Sequence, residues 1–282
     1  MTRRGRQLIP WRVAGTRAEM RHSADDVVRE TGWVFNNQTG ESLTLDEFVR
    51  TGDVEVDVYL DRLGWQALPA ATSVLEIGSG IGRMTAALTR RFDSVVASDV
   101  DAAFLERCRE TVARFGRATG LRTVHIADGH SINLPDRSVD LVFSYITLQH
   151  CRASDAIGLT RESFRVVKSG GWVALNFRTW VPADVLLVPA GAVMRVLWNV
   201  PVVGDKLSRW RWSTRLGWQA NRLDPRRVLA VMEAANVDVS DLVILHHPGR
   251  PLRDVIYRDE PVPQRDLDVA NKSHWWLLAR CR

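Results

Sequence analysis

The chain has 282 residues, 45% hydrophobic and 25% charged, with a formal net charge of +5 at neutral pH. Such a length buries a full core in one domain with insertions, or one and a half, and no stretch of roughly 18 uncharged apolar residues offers a transmembrane helix. Of the 38 basic residues all but Lys168, Lys206 and Lys272 are arginine, which reads as a compositional bias with weak attraction to anionic surfaces and not as a nucleic-acid footprint. The three cysteines, Cys108, Cys151 and Cys281, form no C-x-x-C or Cys/His spacing, so no metal centre or disulfide framework is expected and a reducing, cytoplasmic setting fits best.

Residues 1–30 carry Arg3, Arg4, Arg6, Arg12, Arg17 and Arg21 without the apolar run of a signal peptide, and are expected to form a flexible basic leader. Residues 31–66 read as an N-terminal cap. In it Gly32–Phe35 is expected to be extended and Asn36–Gly40 a turn. Thr44–Phe48 opens a helix with an acidic first turn, Gly52 is expected to interrupt it, and Val54–Leu63 continues as a second apolar-faced segment. Phe48 and Gly52 are expected near the entrance of a site.

Val74–Ile77 then reads as a buried strand, followed by a turn with glycines at 78, 80 and 82 and a helix over Met84–Arg91. Such a turn lets a ligand lie against bare main chain, at the positive end of the helix that follows. Ser94–Ser98 is a second strand ending at Asp99, Ala102–Phe115 a helix with Phe104, Leu105, Cys108, Val112 and Phe115 on one face, Leu121–Ala127 a third strand ending at Asp128, and Val139–Tyr145 a fourth. A helix over about 154–167 and a strand over Trp172–Phe177 follow. The alternation implies a parallel sheet covered on both faces. Asp224 is a plausible N-cap with Pro225 at the first helical position of a helix reaching Ala235, and Val239–His246 and Ser273–Cys281 close the chain as a late hairpin of strands.

An acidic side chain at the end of a second strand, 17 residues after the last glycine, can accept hydrogen bonds from both hydroxyls of a ribose, and Asp99 stands there. The plainer alternative for it is a helix N-cap, which Asp101 would fill equally well. The turn itself, Glu76-x-Gly78-x-Gly80-x-Gly82, lacks the G-x-G-x-x-G spacing of a pyrophosphate site. It resembles the first motif of class I S-adenosylmethionine-dependent methyltransferases. The resemblance extends over about 74–177, because Asp99, Asp128-Gly129, Leu134-Pro135, Asp140 and Lys168-Ser169-Gly170-Gly171 follow in that family's order. Ala127 and Val139 stand where the family usually has glycine and phenylalanine.

The resemblance implies an α/β, doubly wound, Rossmann-like sheet of seven mostly parallel strands with an antiparallel last strand, made by residues 67–178 and 223–282. It implies S-adenosylmethionine as cofactor. Glu76, Gly78, Ser79, Gly80 and Gly82 would wrap its methionine part, Asp99 and Val100 its ribose, Asp128 and Gly129 its adenine, with backbone near Ser144 and Tyr145 beside the methionine moiety. The reaction implied is in-line displacement of a methyl group by a nucleophile of a small-molecule or lipid-like acceptor, most simply a hydroxyl oxygen. His150 is the candidate base, because an imidazole accepts a proton near neutral pH. His246-His247 is a rival, and a histidine packed under the cap is the structural alternative.

Residues 179–222 break the alternation and hold five of the eleven tryptophans, Trp180, Trp198, Trp210, Trp212 and Trp218. They are expected to form a Trp/Arg-rich helical lid over the acceptor. The interleaving in Arg209-Trp210-Arg211-Trp212 suits peripheral contact with the inner face of a membrane, and equally stacking on sugars, aromatic acceptors or bases. A helical lid buried against the domain is the plainer reading. Nucleic-acid methylation and a non-catalytic S-adenosylmethionine-binding regulator are the alternatives. The first is disfavoured because Ser144-Tyr145-Ile146-Thr147 stands where amine-methylating enzymes carry (Asp/Asn)-Pro-Pro-aromatic, so no specific nucleic-acid partner is expected. Acceptor identity and oligomeric state are open at this stage.

Overall fold

A computed structural model of the chain describes residues 9–20, 23–35, 43–200, 202–208, 210–217, 221–252, 255–267 and 272–282. The expected turn at 36–40, the first eight residues, Arg209 and Trp218 lie outside these. In chain order the elements are α1 (Ile9–Met20), α2 (Ala24–Phe35), α3 (Leu45–Arg62), β1 (Ser73–Ile77), α4 (Arg83–Arg91), β2 (Ser94–Asp99), α5 (Ala102–Phe115), β3 (Leu121–His125), β4 (Val139–Ser144), α6 (Ala153–Val166) and β5 (Val167–Arg178). Then come α7 (Asp184–Leu197), α8 (Val203–Ser208), α9 (Arg211–Gly217), α10 (Pro225–Ala234), β6 (Val239–His246), β7 (Ile256–Tyr257), β8 (Glu260–Pro261), β9 (Gln264–Asp266) and β10 (His274–Cys281).

The main sheet runs β3-β2-β1-β4-β5-β10-β6-β9. Its first five strands are parallel, with Leu75 of β1 between Val96 of β2 and Val142 of β4, and β10 lies antiparallel to both β5 and β6. Eight strands replace the expected seven. The addition is the three-residue β9, which pairs parallel to β6 and is too short to show a period in sequence. Strands whose apolar residues are buried on both faces carry helices on both sides, as a parallel sheet requires. Among the described residues no helix is long and apolar enough to cross a membrane.

Asp140 and Lys168 of the motif stretch have a structural task at the sheet edge remote from the glycine turn. Asp140 at the start of β4 accepts from the Ser73 amide (2.9 Å) and from Lys168 Nζ (2.9 Å), which ties the beginnings of β1, β4 and β5 together. Asp224 caps α10 through the Arg226 amide, as the Asp-Pro signal indicated.

The N-terminal region departs from its expectation. The described part of the supposed leader is helical: α1 and α2 pack on each other and on α5, and the expected extended piece is the last turn of α2. The arginines masked a narrow stripe of Ala14 and Ala18, which are buried, while α2 buries Val27, Val28 and Val34. Asp25 of α2 pairs with Arg114 of α5, and Glu110 accepts from the Ala24 amide (2.8 Å).

Gly52 does not interrupt α3, which runs unbroken from a capping box at Thr44 and Glu47. The glycine marks a close approach. A Cβ there would collide with the carbonyl of Arg83, where α3 crosses the start of α4. Arg83 closes the same crossing by pairing with Glu55 (2.6 Å) and by lying 5.9 Å from the Phe48 ring centroid. Gly52→Leu, which raises helix propensity so that any loss must come from bulk, is therefore expected to lower the melting temperature by roughly 3–10 °C, the equivalent of about 1–3 kcal/mol net of overpacking. Exposed Val54→Leu on the same helix should leave it unchanged in the same thermal scan.

Candidate active site

The pocket lies at the carboxyl ends of β1, β2, β3 and β4, where the strand order reverses between β1 and β4. Its cavity of about 170 Å³ has room for on the order of ten waters, enough for an organic ligand and far more than an ion needs. The floor is Glu76, Ile77 and the glycine turn, one side is Asp99, Val100, Ile126 and Gly129, and the other is Tyr145, Ile146, Thr147 and His150. The roof is Trp11 of α1, Val34 and Phe35 of α2 and Phe48 of α3.

The turn is tightly built. The amides of Gly78 and Ser79 donate to the Ser98 carbonyl (2.8 and 3.0 Å), and the Gly80 amide donates to Asp99 Oδ2 (2.9 Å). Gly78 has φ +84°, and a Cβ there would collide with the Thr147 side chain, so only glycine lets the turn and the loop after β4 meet. Ile146 in that loop has φ +55°, a strained conformation for a β-branched residue costing about 1–3 kcal/mol. Asn176 of β5, fully buried, holds it by accepting from the Ile146 amide (3.2 Å) while donating to the Trp275 carbonyl (3.3 Å).

Electrostatically the floor is acidic and dry. Burial pushes the Glu76 carboxyl up to about 7, although the Thr85 hydroxyl (2.6 Å) and Arg83 favour its charged form. Burial likewise pushes Asp99 up to about 6 against the amides of Asp101 and Gly80. Burial also raises the Cys151 thiol to about 12 and the Tyr145 phenol to about 12, so neither is an anion near neutral pH. Tyr145 is wedged between Tyr59 of α3 (centroids 4.4 Å apart) and Trp276 of β10 (5.7 Å, 6° between planes).

The carboxyl shifts carry a stability prediction. A carboxyl whose folded pKa exceeds its unfolded one keeps its proton longer in the folded state, so stability falls as pH rises from the unfolded value to the folded one. For Glu76 that window is 4.5 to about 7, and for Asp99 3.8 to about 6. Each contributes a loss of about 3 kcal/mol by the upper end of its window. Glu76→Gln should therefore raise the melting temperature of the ligand-free protein at pH 8 by roughly 5–10 °C and have little effect at pH 5. Differential scanning calorimetry at both pH values checks this; equal shifts at both would show that the gain is not electrostatic.

Of the residues singled out in the sequence, Glu76, Gly78, Ser79, Gly80, Asp99, Val100, Gly129, Tyr145 and His150 line the cavity. Three do not. Gly82 sits one step behind, as the N-cap of α4 against Cys108. Ser144 is buried, its hydroxyl donating to the Ile77 carbonyl (3.1 Å). Asp128 is off the wall, its Oδ1 accepting from the amides of His130 (2.9 Å) and Ser131 (2.8 Å). Burial raises its pKa, but the Ser131 hydroxyl, those two amides and the nearby His130 outweigh it and bring the carboxyl to about 2. Asp101 caps α5 through the Ala103 amide, which leaves Asp99 to the pocket.

His150 ends a 3-10 turn, Leu148–His150, and lies 4.4 Å from the Trp11 ring. Asn221 braces that turn by donating to the carbonyls of Leu148 (2.6 Å) and Cys151 (2.7 Å). His246 and His247 are not on the wall. Nor, among the described residues, is anything from 179–222; the described roof comes from the N-terminal helices. Trp11, Val34 and Phe35 were missed because the arginines around α1 and the short apolar piece of α2 signalled no packed element. Phe48, expected near the entrance, is part of the roof.

Residues 75–175 match the family model described as a methyltransferase domain. The malonyl-[acyl-carrier protein] O-methyltransferase of Marinomonas sp. (strain MWYL1) is 33% identical over 124 residues, 42% of this chain and 43% of the relative. Phosphoethanolamine N-methyltransferase 3 of Arabidopsis thaliana is 26% identical over 135 residues, 47% of this chain and 26% of the relative. The chain thus spans less than half the length of these curated relatives. Among solved structures, magnesium protoporphyrin IX methyltransferase from Synechocystis PCC 6803, with bound SAH, superposes with a TM-score of 0.53 at 13% identity over 92% of this chain and 98% of that one. That likeness concerns the fold.

Proposed function

We propose that this chain, which carries a class I S-adenosylmethionine-dependent methyltransferase domain over residues 75–175, transfers a methyl group to a hydroxyl oxygen of an apolar or amphipathic, small-molecule or lipid-like acceptor. The observation that carries the reading is the pairing of an apolar roof (Trp11, Val34, Phe35 and Phe48) with one imidazole, His150, on the same cavity wall.

The residues present fit the donor. Gly80 leaves bare backbone under Phe35, and the buried Ser79 hydroxyl has no hydrogen-bond partner among the described residues. Asp99 keeps acceptor capacity for ribose hydroxyls, since a carboxylate has about four lone-pair sites and the Gly80 and Asp101 amides use two. Glu76 places a carboxylate beneath the methionine end, where a cationic ligand would draw its pKa back down.

When bound, S-adenosylmethionine would supply a methyl group on a sulfonium, whose carbon a nucleophile attacks in line as the C–S bond breaks and S-adenosylhomocysteine leaves. The protein's part is positioning and dryness. The roof excludes water and holds an apolar acceptor against the loop after β4. His150 accepts the hydroxyl proton as the oxygen bonds to the methyl carbon, and later releases it to solvent.

The test is S-adenosylhomocysteine release with a panel of hydroxylated apolar compounds and lipids, sugars, and RNA, alongside calorimetric S-adenosylmethionine binding. Turnover confined to the apolar hydroxyl compounds is expected. Turnover on sugars or RNA alone would replace the acceptor class, and tight binding with no turnover across the panel would leave the regulator reading.

A further inference from the structure

The described residues of 179–217 do not line the pocket, and what they do present is unusual. In α7 one stripe (Gly191, Met194 and Trp198) is buried, with Met194 and Trp198 packed on Leu207 of α8 and Leu216 of α9. The opposite stripe is just as apolar but faces solvent: Val185, Leu186, Val193, Val196, Leu197 and Val200, with Leu186 77% and Val196 67% exposed. A helix that is apolar all round is ordinarily buried on every side, so a helix left half open has a second partner.

The fold holds this face in place. Asp184, at the first turn of α7, is fully buried and accepts from Arg178 of β5 (3.0 Å) and from Arg222 (2.8 Å), which pins the segment to the sheet. At its other end α8 touches α1, the helix that brings Trp11 to the pocket.

The chemistry of the rim identifies the partner. Between residues 179 and 222 the sequence has six basic residues, Arg195, Lys206, Arg209, Arg211, Arg215 and Arg222, against two acidic ones, Asp184 and Asp205. Asp184 is paired inside with Arg178 and Arg222, which leaves five basic residues of the segment against one acidic one. In the same segment Trp210 and Trp212 are both about half exposed, their rings 5.9 Å apart. A charge-free apolar face, on a segment with exposed tryptophans and an excess of basic residues, matches the boundary between acyl chains and anionic headgroups. At 14 residues α7 is about 21 Å long, too short to span a bilayer and suited to lying on one.

We infer that α7, with Trp210 and Trp212, is a membrane-docking face that seats the protein on anionic lipid bilayers, beside the helix that roofs the pocket. Docking there brings a membrane-dissolved acceptor to α1 without a passage through bulk water. The surface needs no bound donor, so its test is separate from that of the methyl transfer.

The experiment is flotation of the full chain with vesicles of phosphatidylcholine alone or with about 30% phosphatidylglycerol. Binding is expected to the anionic vesicles, weakened at least about fivefold by roughly 0.5 M salt, which shortens the reach of the basic rim. Val193→Glu/Val196→Glu should cut it about tenfold or more, with circular dichroism and S-adenosylhomocysteine affinity unchanged. Trp210→Ala/Trp212→Ala should do the same if the glutamates prevent folding. Lys206→Glu/Arg215→Glu should weaken only the anionic-vesicle component. Absence of wild-type flotation overturns the inference, as does undiminished flotation of folded variants of the α7 face or of the tryptophans. A dimer in sedimentation equilibrium that Val193→Glu/Val196→Glu dissolves, with no vesicle binding by the wild type, overturns it too and assigns the face to a second copy of the chain.

Discussion

Asp99→Ala is expected to weaken S-adenosylhomocysteine binding by about a hundredfold to ten-thousandfold while the protein stays folded. The carboxylate does two jobs: it fixes the glycine turn through the Gly80 amide and presents its remaining lone pairs to the pocket. Two charge-assisted hydrogen bonds to a ribose contribute about 1.5–3 kcal/mol each, which sets that range. Removal also orphans the Gly80 and Asp101 amides, a cost partly offset because a carboxyl that burial had pushed up to about 6 is gone. Asp99→Asn, which keeps one acceptor oxygen, should fall between. Titration calorimetry with urea unfolding alongside separates the effects, and a folded Asp99→Ala within threefold of wild-type affinity would remove Asp99 from the ribose site.

His150→Gln should reduce kcat on a hydroxyl acceptor by about a hundredfold to ten-thousandfold, the usual range for a general base, and leave S-adenosylhomocysteine affinity within threefold. Glutamine preserves the size of the side chain against Trp11 and the backbone of the turn that Asn221 braces, so the change is chiefly one of proton affinity. The pH dependence distinguishes a base from a packing role: the wild-type fall in kcat toward acid should flatten in the variant. The neighbours do not substitute, because the Tyr145 phenol and Cys151 thiol both stay protonated, each pushed up to about 12 by burial. Unchanged turnover, or a loss confined to KM, would make His150 a wall residue only.

These two variants address residues that were legible in the sequence, and the reason is local. Glu76, the glycines and Asp99 sit at strand ends, and a strand followed by a turn and a helix leaves a fixed spacing that a parallel sheet converts into one crevice. The helix α5 was legible to the residue, because its buried face repeats at three and four residues and Asp101 caps it. Asp128, which the sequence could place only at a strand end, is not on the cavity wall. A loop aspartate has no period to say which way its carboxylate turns, and the amides of His130 and Ser131 captured it.

By itself, then, the sequence determined the alternation of strands and helices and hence a parallel sheet covered on both faces, which follow from periodicity and short-range turns, while its resemblance to a known motif pointed to the residues of the pocket floor. Only the tertiary structure decided what covers that floor. Trp11 and Phe35 reach it through the packing of α1 and α2 on α5, and Gly52 is a crossing point because Arg83 lies 31 positions further on and yet against it. The same holds for 179–217. Its tryptophans, arginines and valines were plain in the sequence, but burial divides them: one stripe of α7 is spent on Met194 and Trp198, and the other is left facing outward. Which apolar residues are covered depends on contacts between distant segments, and no local pattern encodes them.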